Sequence, residues 1–93
     1  MIAEQRVTIL NEKGLHVRPA AAFAQAAGRF SSRITVVKEP QAQAVNGKSS
    51  IELLMLAAEP GTSLVIRAEG EDATAAAESL AKFVNDHFGM RDE

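Results

Sequence analysis

The chain has 93 residues, a formal net charge of −2 and 46% hydrophobic residues, which suits one ordinary globular domain, so we expect residues 1–93 to fold as a single unit. This charge gives no support to nucleic-acid binding or to binding of an anionic membrane, both of which need a basic excess. With no cysteine and only two histidines, we expect no disulfide, no thiolate nucleophile, no metal site and no other cofactor.

The first part of the chain is predicted to hold a strand, a helix and two further strands. Residues 6–10 alternate apolar and polar side chains, the pattern of a half-buried strand. Residues 20–30 are alanine-rich, and Phe23 and Phe30 fall on one helical face, which predicts a helix that packs inward. Residues 34–38 are β-branched and predict a second strand. Pro40 then marks a turn before a weak third strand at residues 44–45.

The stretch from residue 49 to 58 is predicted to be a second helix that begins at Ser49. Serine is a favoured N-cap residue, and Glu52 follows at the spacing of a capping box. The helix carries an apolar stripe, part of which must be core; the sequence leaves open whether the rest is exposed or wholly buried. The stripe consists of Ile51, Leu54, Met55 and Ala58, widened by Leu53 and Leu56.

After a fourth strand at residues 63–68, a last helix is predicted from its cap Asp72 through Phe88 to a stop at Gly89. His87 would lie near the negative end of this helix, where we interpret it as a capping residue. The charged tail of residues 91–93 is expected to fray. The element order predicts an α+β fold in which the helices lie against one face of an antiparallel sheet.

The stretch from Gly14 to Ala20 (GLHVRPA) contains the candidate reactive residues of the chain. Pro19 fits the first turn of a helix, which would make His16 the N-cap. The backbone amides of Val17 and Arg18 would then point outward at the positive helix end, beside an imidazole that can attack a phosphoryl group. The Arg18 guanidinium could hold the phosphate once it is transferred. The alternative is that His16 only caps a helix and Arg18 is a solvated surface charge.

Three blocks of the sequence resemble the histidine phosphocarrier proteins (HPr) of the bacterial phosphoenolpyruvate-dependent sugar phosphotransferase system. GLHVRPA is similar to that family's active-site signature GLHARPA, with valine in place of the alanine at position 17. Residues 45–51 (VNGKSSI) resemble the family's regulatory serine region, and residues 68–72 (AEGED) resemble the lead-in to its last helix. The blocks occur in family order, and the likeness runs from about residue 6 to 88.

The resemblance implies an open-faced β-sandwich, with four strands and three helices on one face. It implies that His16 is phosphorylated at Nδ1, that Arg18 is the phosphate partner and that Ser49 is regulatory. It also places partner docking on the second helix, at Ser50, Ile51 and Leu54.

The partners implied by the resemblance are enzyme I, the A-domains of enzymes II and, if Ser49 is modified, a serine kinase/phosphorylase. The chain would be a cytoplasmic monomer without membrane insertion. It would be a stoichiometric phosphoryl carrier rather than a turnover enzyme.

Two other functions compete with sugar transport. The apolar run of residues 52–56 resembles a nitrogen-related branch of the family that acts in regulatory signalling, whereas Lys48 and Ser49 resemble the sugar branch. A docking-only regulatory module would need neither His16 nor Arg18, so their presence argues against that function. Ser50 stands where sugar-branch relatives usually have an apolar residue, which removes an apolar contact from the docking surface.

Overall fold

A computed structural model describes residues 1–90 of the chain. The chain forms β1 (Ile2–Thr8), α1 (Val17–Ala27), β2 (Arg33–Lys38), β3 (Gln43–Asn46), α2 (Ser50–Met55), β4 (Ser63–Glu69) and α3 (Ala73–Asn85). A 3₁₀ turn at His87–Gly89, here called the C-terminal turn, follows α3. The predicted α+β class and the open-faced sandwich are confirmed. The fraying expected for residues 91–93 lies outside the described residues.

The sheet is antiparallel throughout, in the strand order β1-β4-β2-β3. In β4, Leu64, Ile66 and Ala68 are buried while Val65 and Arg67 face the other way. This is the predicted alternation, and it arises because successive side chains of a strand point to opposite faces. One face of the sheet therefore carries the core.

The first strand begins earlier than the predicted residue 6. It pairs with β4 along its whole length, from Ile2 opposite Glu69 to Thr8 opposite Ser63, so the partner strand extends it beyond the segment where polar and apolar residues alternate. Ile9 lies just past its end but is still buried, and it exchanges backbone hydrogen bonds with the turn at residues 61–62.

Small residues let α1 and α3 lie close to the sheet and to each other. Four alanines on α3 are buried, and α1 buries Ala20 and Ala27 beside Phe23. The four are Ala73, Ala76, Ala77 and Ala81. Phe23 is core as predicted, whereas Phe30 is only half-buried.

The prediction that the last helix runs on to Gly89 is wrong. The helix ends at Asn85, and His87 and Phe88 adopt left-handed φ values of 56° and 57°. The Phe88 ring packs edge-on against Phe23 and Phe83, with centroids 6.3 and 6.0 Å apart. Since His87 lies beyond the helix, it is not a helix-capping residue.

The prediction for the start of the second helix is half right. Ser49 is the N-cap, as predicted, and its Oγ accepts the Glu52 backbone N–H at 3.2 Å. The Glu52 carboxylate does not complete the capping box, because it accepts the backbone N–H of Asn46 at 3.0 Å.

The second helix also ends earlier than residue 58. Side chains from β2 and β3 take its last carbonyls: Lys38 donates to Leu56 O at 2.8 Å and Gln43 to Met55 O at 3.3 Å. Ala57 then turns into the left-handed region, with φ 49°. These contacts satisfy the carbonyls that a helix end leaves unpaired.

The apolar stripe of α2 is not wholly buried. Leu53 and Leu56 are in the core, whereas Ile51 and Met55 are 73% and 65% exposed and Leu54 is half-buried. The alternative that buried the whole stripe is therefore wrong, and α2 presents an apolar surface.

Asp72 occupies the N-cap of α3, but its side chain does not cap that helix. Its carboxylate instead accepts the Ser32 hydroxyl and the backbone N–H groups of Ser31 and Ser32, both at 2.9 Å. These bonds, that of the Ser32 hydroxyl foremost, lower the pKa of Asp72 to about 2. The role of Asp72 is to hold the loop between α1 and β2.

Candidate active site

The loop that leads to His16 is built around a glycine. The Gly14 N–H donates to Asn11 O at 2.9 Å and closes a tight turn. Gly14 has φ 72°, and a Cβ added there would overlap the carbonyl oxygen of Ala58. Both facts call for glycine, because L side chains seldom adopt this φ and no space is left for one.

The same loop is attached to the segment that follows α2. Leu15 is buried, and its N–H donates to Ala58 O at 2.9 Å. The Ala58 carbonyl thus serves two neighbouring residues, as an acceptor for Leu15 and as a steric wall for Gly14. The position of His16, one residue on, is thereby fixed relative to the C-terminal end of α2.

His16 occupies the N-cap of α1 in an extended conformation, with φ −101° and ψ −165°. Its carbonyl accepts the Ala20 N–H at 2.9 Å, while its side chain forms no capping hydrogen bond. The ring is half-buried and its Nε2 atom is buried. That Nδ1 is the atom that takes the phosphoryl group stays a prediction.

Arg18 and Val17 are exposed in the first turn of α1, and Pro19 is buried in that turn. The first amides of a helix have no carbonyl within it to donate to, and the helix dipole adds positive potential there. The structure thus brings the imidazole, the helix N-terminus and a guanidinium together on the first turn of one helix. Such an arrangement can bind and stabilise an anionic phosphoryl group.

Ser49 lies at the opposite end of α2 from the segment that holds the histidine loop. It is half-buried at the N-cap, and the six residues of α2 span about 9 Å. Between the two ends, α2 exposes Ile51 and Met55. Since α1 packs on α2, the histidine, the exposed apolar side chains and the serine belong to one helical layer.

Two contributors to this site were missed from the sequence. Ala58 acts through its backbone carbonyl, which no side-chain pattern reveals. Asn11 stands in a polar loop, where nothing in the sequence shows that it is fully buried. Only the folded chain places both beside Gly14.

A family model described as "PTS HPr component phosphorylation site" matches residues 3–86. The phosphocarrier protein HPr of Pseudomonas aeruginosa is 40% identical over 82 residues, covering 88% of this chain and 90% of that protein. The crystal structure of HPr-C-His from Thermoanaerobacter tengcongensis is 37% identical, with a TM-score of 0.86 over 96% of this chain and 98% of that one. A crystal structure described as an HPr dimer from the same organism is 38% identical, with a TM-score of 0.72 over 90% and 94% of the two chains.

Within residues 1–90, none of the helices has the length and apolar character needed to cross a membrane.

Proposed function

Because this chain belongs to the HPr family of phosphocarriers, we propose that it accepts a phosphoryl group on Nδ1 of His16 from phospho-enzyme I. It then passes the group to the A-domains of enzymes II in sugar uptake. The observation that carries this assignment is His16 at the N-cap of α1 with Nε2 buried.

In the transfer step, the Nδ1 lone pair attacks phosphorus while the bond to the donor breaks. The negative charge on the phosphoryl oxygens meets the N-terminal amides of α1 and the Arg18 guanidinium. These groups are set before the reaction by the Asn11–Gly14 turn and by Ala58, and phosphoryl transfer depends mostly on such positioning and charge stabilisation. The reverse geometry releases the group to the next acceptor, so the chain acts as a stoichiometric carrier.

The proposed docking surface lies on α2, at Ser50, Ile51 and Leu54. Ile51 is well exposed, and Met55 adds a further exposed apolar side chain one turn along. Exposed apolar side chains of this size usually mark interaction sites when they cluster. We infer that enzyme I and the enzyme II A-domains contact this helix while they reach His16.

A carrier in the nitrogen-related branch is the second candidate, suggested by the apolar run at residues 52–56. Two residues of that run, Leu53 and Leu56, are core, so their apolar character follows from packing and says little about partners. The resemblance of Lys48 and Ser49 to the sugar branch is then the remaining evidence, and it favours that branch. Transfer from the phosphorylated chain to a nitrogen-branch A-domain but not to a sugar-branch one would reverse the assignment.

Ser49 is the proposed regulatory site. Its Oγ already accepts the Glu52 N–H, and the Glu52 carboxylate lies in the same turn. A phosphate on Ser49 would place a dianion beside the exposed Ile51, where a partner would have to desolvate it. We propose that a serine kinase/phosphorylase uses this charge to weaken docking.

A protein with a docking-only regulatory function would not need to transfer phosphate from His16.

We also propose that the chain works as a cytoplasmic monomer. The dimer described for the Thermoanaerobacter tengcongensis relative makes light scattering at working concentration the relevant check.

The central experiment supplies enzyme I and radiolabelled phosphoenolpyruvate to three proteins: wild type, His16→Ala and His87→Ala. We expect label on wild type and His87→Ala, labile in acid and stable in base as a phosphoramidate is, and none on His16→Ala. The His87 variant is the matched control, since it removes the other histidine of the chain. Label on His16→Ala would refute the proposal.

A further inference from the structure

Asn11 has an unusual environment for a loop residue. It is 0% exposed, although it lies in a polar loop, and its Nδ2 donates to the backbone carbonyl of His87 at 3.0 Å. That hydrogen bond joins residues 76 apart in sequence. The backbone carbonyl of Asn11 accepts the Gly14 N–H. A single residue therefore links the histidine loop to the C-terminal turn.

The link leaves one buried polar atom of Asn11 without a hydrogen bond among the described residues. Asn11 Oδ1 is buried and has no hydrogen-bond partner among residues 1–90. Buried amide oxygens normally find a donor, because leaving one unsatisfied forfeits its hydration. An apolar side chain of similar volume would avoid that penalty, so packing alone does not explain an asparagine here.

The other end of the link is also strained. His87 and Phe88 both have left-handed φ values, which non-glycine residues rarely adopt. The His87 carbonyl accepts Asn11 Nδ2 as well as the Met90 N–H, and the Phe88 ring packs on Phe23 of α1 as well as on Phe83 of α3. Since α1 begins next to His16, the turn is attached both to the helix that carries the histidine and to the loop that precedes it.

We propose that Asn11 is a positioning residue for phosphoryl transfer. Through its side chain it fixes the Asn11–Gly14 turn against the C-terminal turn, and so sets the approach of the His16 ring to the phosphoryl group. Ala58 fixes the loop from the other side, through Leu15. With both contacts the loop is held at two points; without Asn11 it would pivot about Ala58. This inference rests on the proposed function of His16.

The test compares Asn11→Ala with Asp72→Asn. The control weakens a link of the same kind, from a side chain to a distant backbone, at the far end of α1. Both variants should lose some thermal stability. For transfer from phospho-enzyme I, Asn11→Ala should lower kcat roughly tenfold with KM within about twofold of wild type, because misplaced reacting groups cost rate rather than docking. Asp72→Asn should leave both constants unchanged.

A second measurement covers the case in which Asn11→Ala fails to fold. In wild type, phosphorylation of His16 should change the NMR chemical shifts of the Asn11 side-chain amide and of the Gly89 and Met90 backbone amides. These changes should be larger than those of the Ser31 and Ser32 backbone amides.

Unchanged kcat in Asn11→Ala, or an unmoved C-terminal turn on phosphorylation, overturns the inference and leaves the proposed function intact. A wild-type protein that takes no phosphate overturns both. A loss of kcat in Asp72→Asn equal to that in Asn11→Ala also overturns the inference, since it would then reflect general destabilisation.

Discussion

The two ends of α1 are built with the same kind of contact and serve different purposes. At its C-terminal end, Asp72 reaches across about 40 residues and accepts three hydrogen bonds from Ser31 and Ser32. At its N-terminal end, Asn11 reaches across 76 residues, forms one side-chain hydrogen bond, and leaves its amide oxygen unsatisfied among residues 1–90. Here the histidine end and the serine-pair end denote these two regions.

The difference separates stability from function. The serine-pair end satisfies its polar groups, as expected where a contact only has to hold the fold together. The histidine end contains an unsatisfied oxygen, residues with left-handed φ values and exposed apolar side chains. These features lower stability and are found where a site must bind another molecule. Substitutions at the two ends should therefore differ in whether they change transfer.

The largest effect should come from Gly14→Ala. The new methyl group would overlap the Ala58 carbonyl, and the left-handed φ adds about 1–2 kcal/mol of strain. We expect a lower melting temperature and about a hundredfold slower transfer. Gly70→Ala is the control at the serine-pair end, where a Cβ would lie 2.6 Å from Ser32 Oγ; it should lose stability but not transfer. If Gly14→Ala and Gly70→Ala slowed transfer equally, the proposed functional difference between the histidine end and the serine-pair end would be wrong.

The next effect is that of Arg18→Ala. Removal of a charge-assisted contact to the phosphoryl group costs about 1.5–3 kcal/mol, which corresponds to roughly tenfold to a hundredfold in rate. The melting temperature should hardly change, since Arg18 is exposed. Arg29→Ala removes another exposed arginine, just past the other end of α1, and should transfer like wild type in stopped-flow assays. An Arg18 variant within a factor of two of wild type would show that the helix amides suffice.

A smaller effect is expected for Ser49→Asp. The negative charge suits the N-terminal end of α2, so the melting temperature should be unchanged or higher, while transfer from enzyme I should slow several-fold. Ser50→Asp, one residue on, is the comparison and should slow transfer less. The effect should shrink with added salt, because charge interactions at a surface are screened. Transfer as fast as wild type at low salt would remove Ser49 from regulation.

The smallest effect concerns pH at the serine-pair end. The pKa of Asp72 is about 2 in the folded chain, below its ordinary value of 3.8, so its hydrogen bonds stabilise the fold fully above that ordinary value. This contribution should fade as the pH falls through about 2. In urea unfolding, Asp72→Asn should be less stable than wild type at neutral pH, with the gap closing in acid. A gap that stays constant would contradict the assignment.

The sequence was sufficient for the element order and for the histidine at a helix start, because these depend on local signals: a proline in the first turn, a serine cap, alternation in the strands. It failed where distant residues decide. Asp72 is a good cap by type, yet its partners are Ser31 and Ser32. The last helix stops short of Gly89 because a turn held by Asn11 replaces its final residues.

The second helix shows a different limit of prediction from sequence. In a segment this short and this apolar, more than one stripe fits helical spacing. Only packing, mainly against α1 and also against β3, selects Leu53 and Leu56 for the core and leaves Ile51 and Met55 outside. Neither Asn11 nor the Ala58 carbonyl could have been assigned to the site, since neither the burial of a polar loop residue nor a contact made by the backbone can be recognised from residue type.

The most direct test of the central claim is nitrogen and phosphorus NMR of the chain after incubation with enzyme I and phosphoenolpyruvate. We predict one phosphorylated residue, His16, with the phosphorus bonded to Nδ1 and the Nε2 atom still buried. Phosphorus on Nε2 of His16, or on His87, would contradict it.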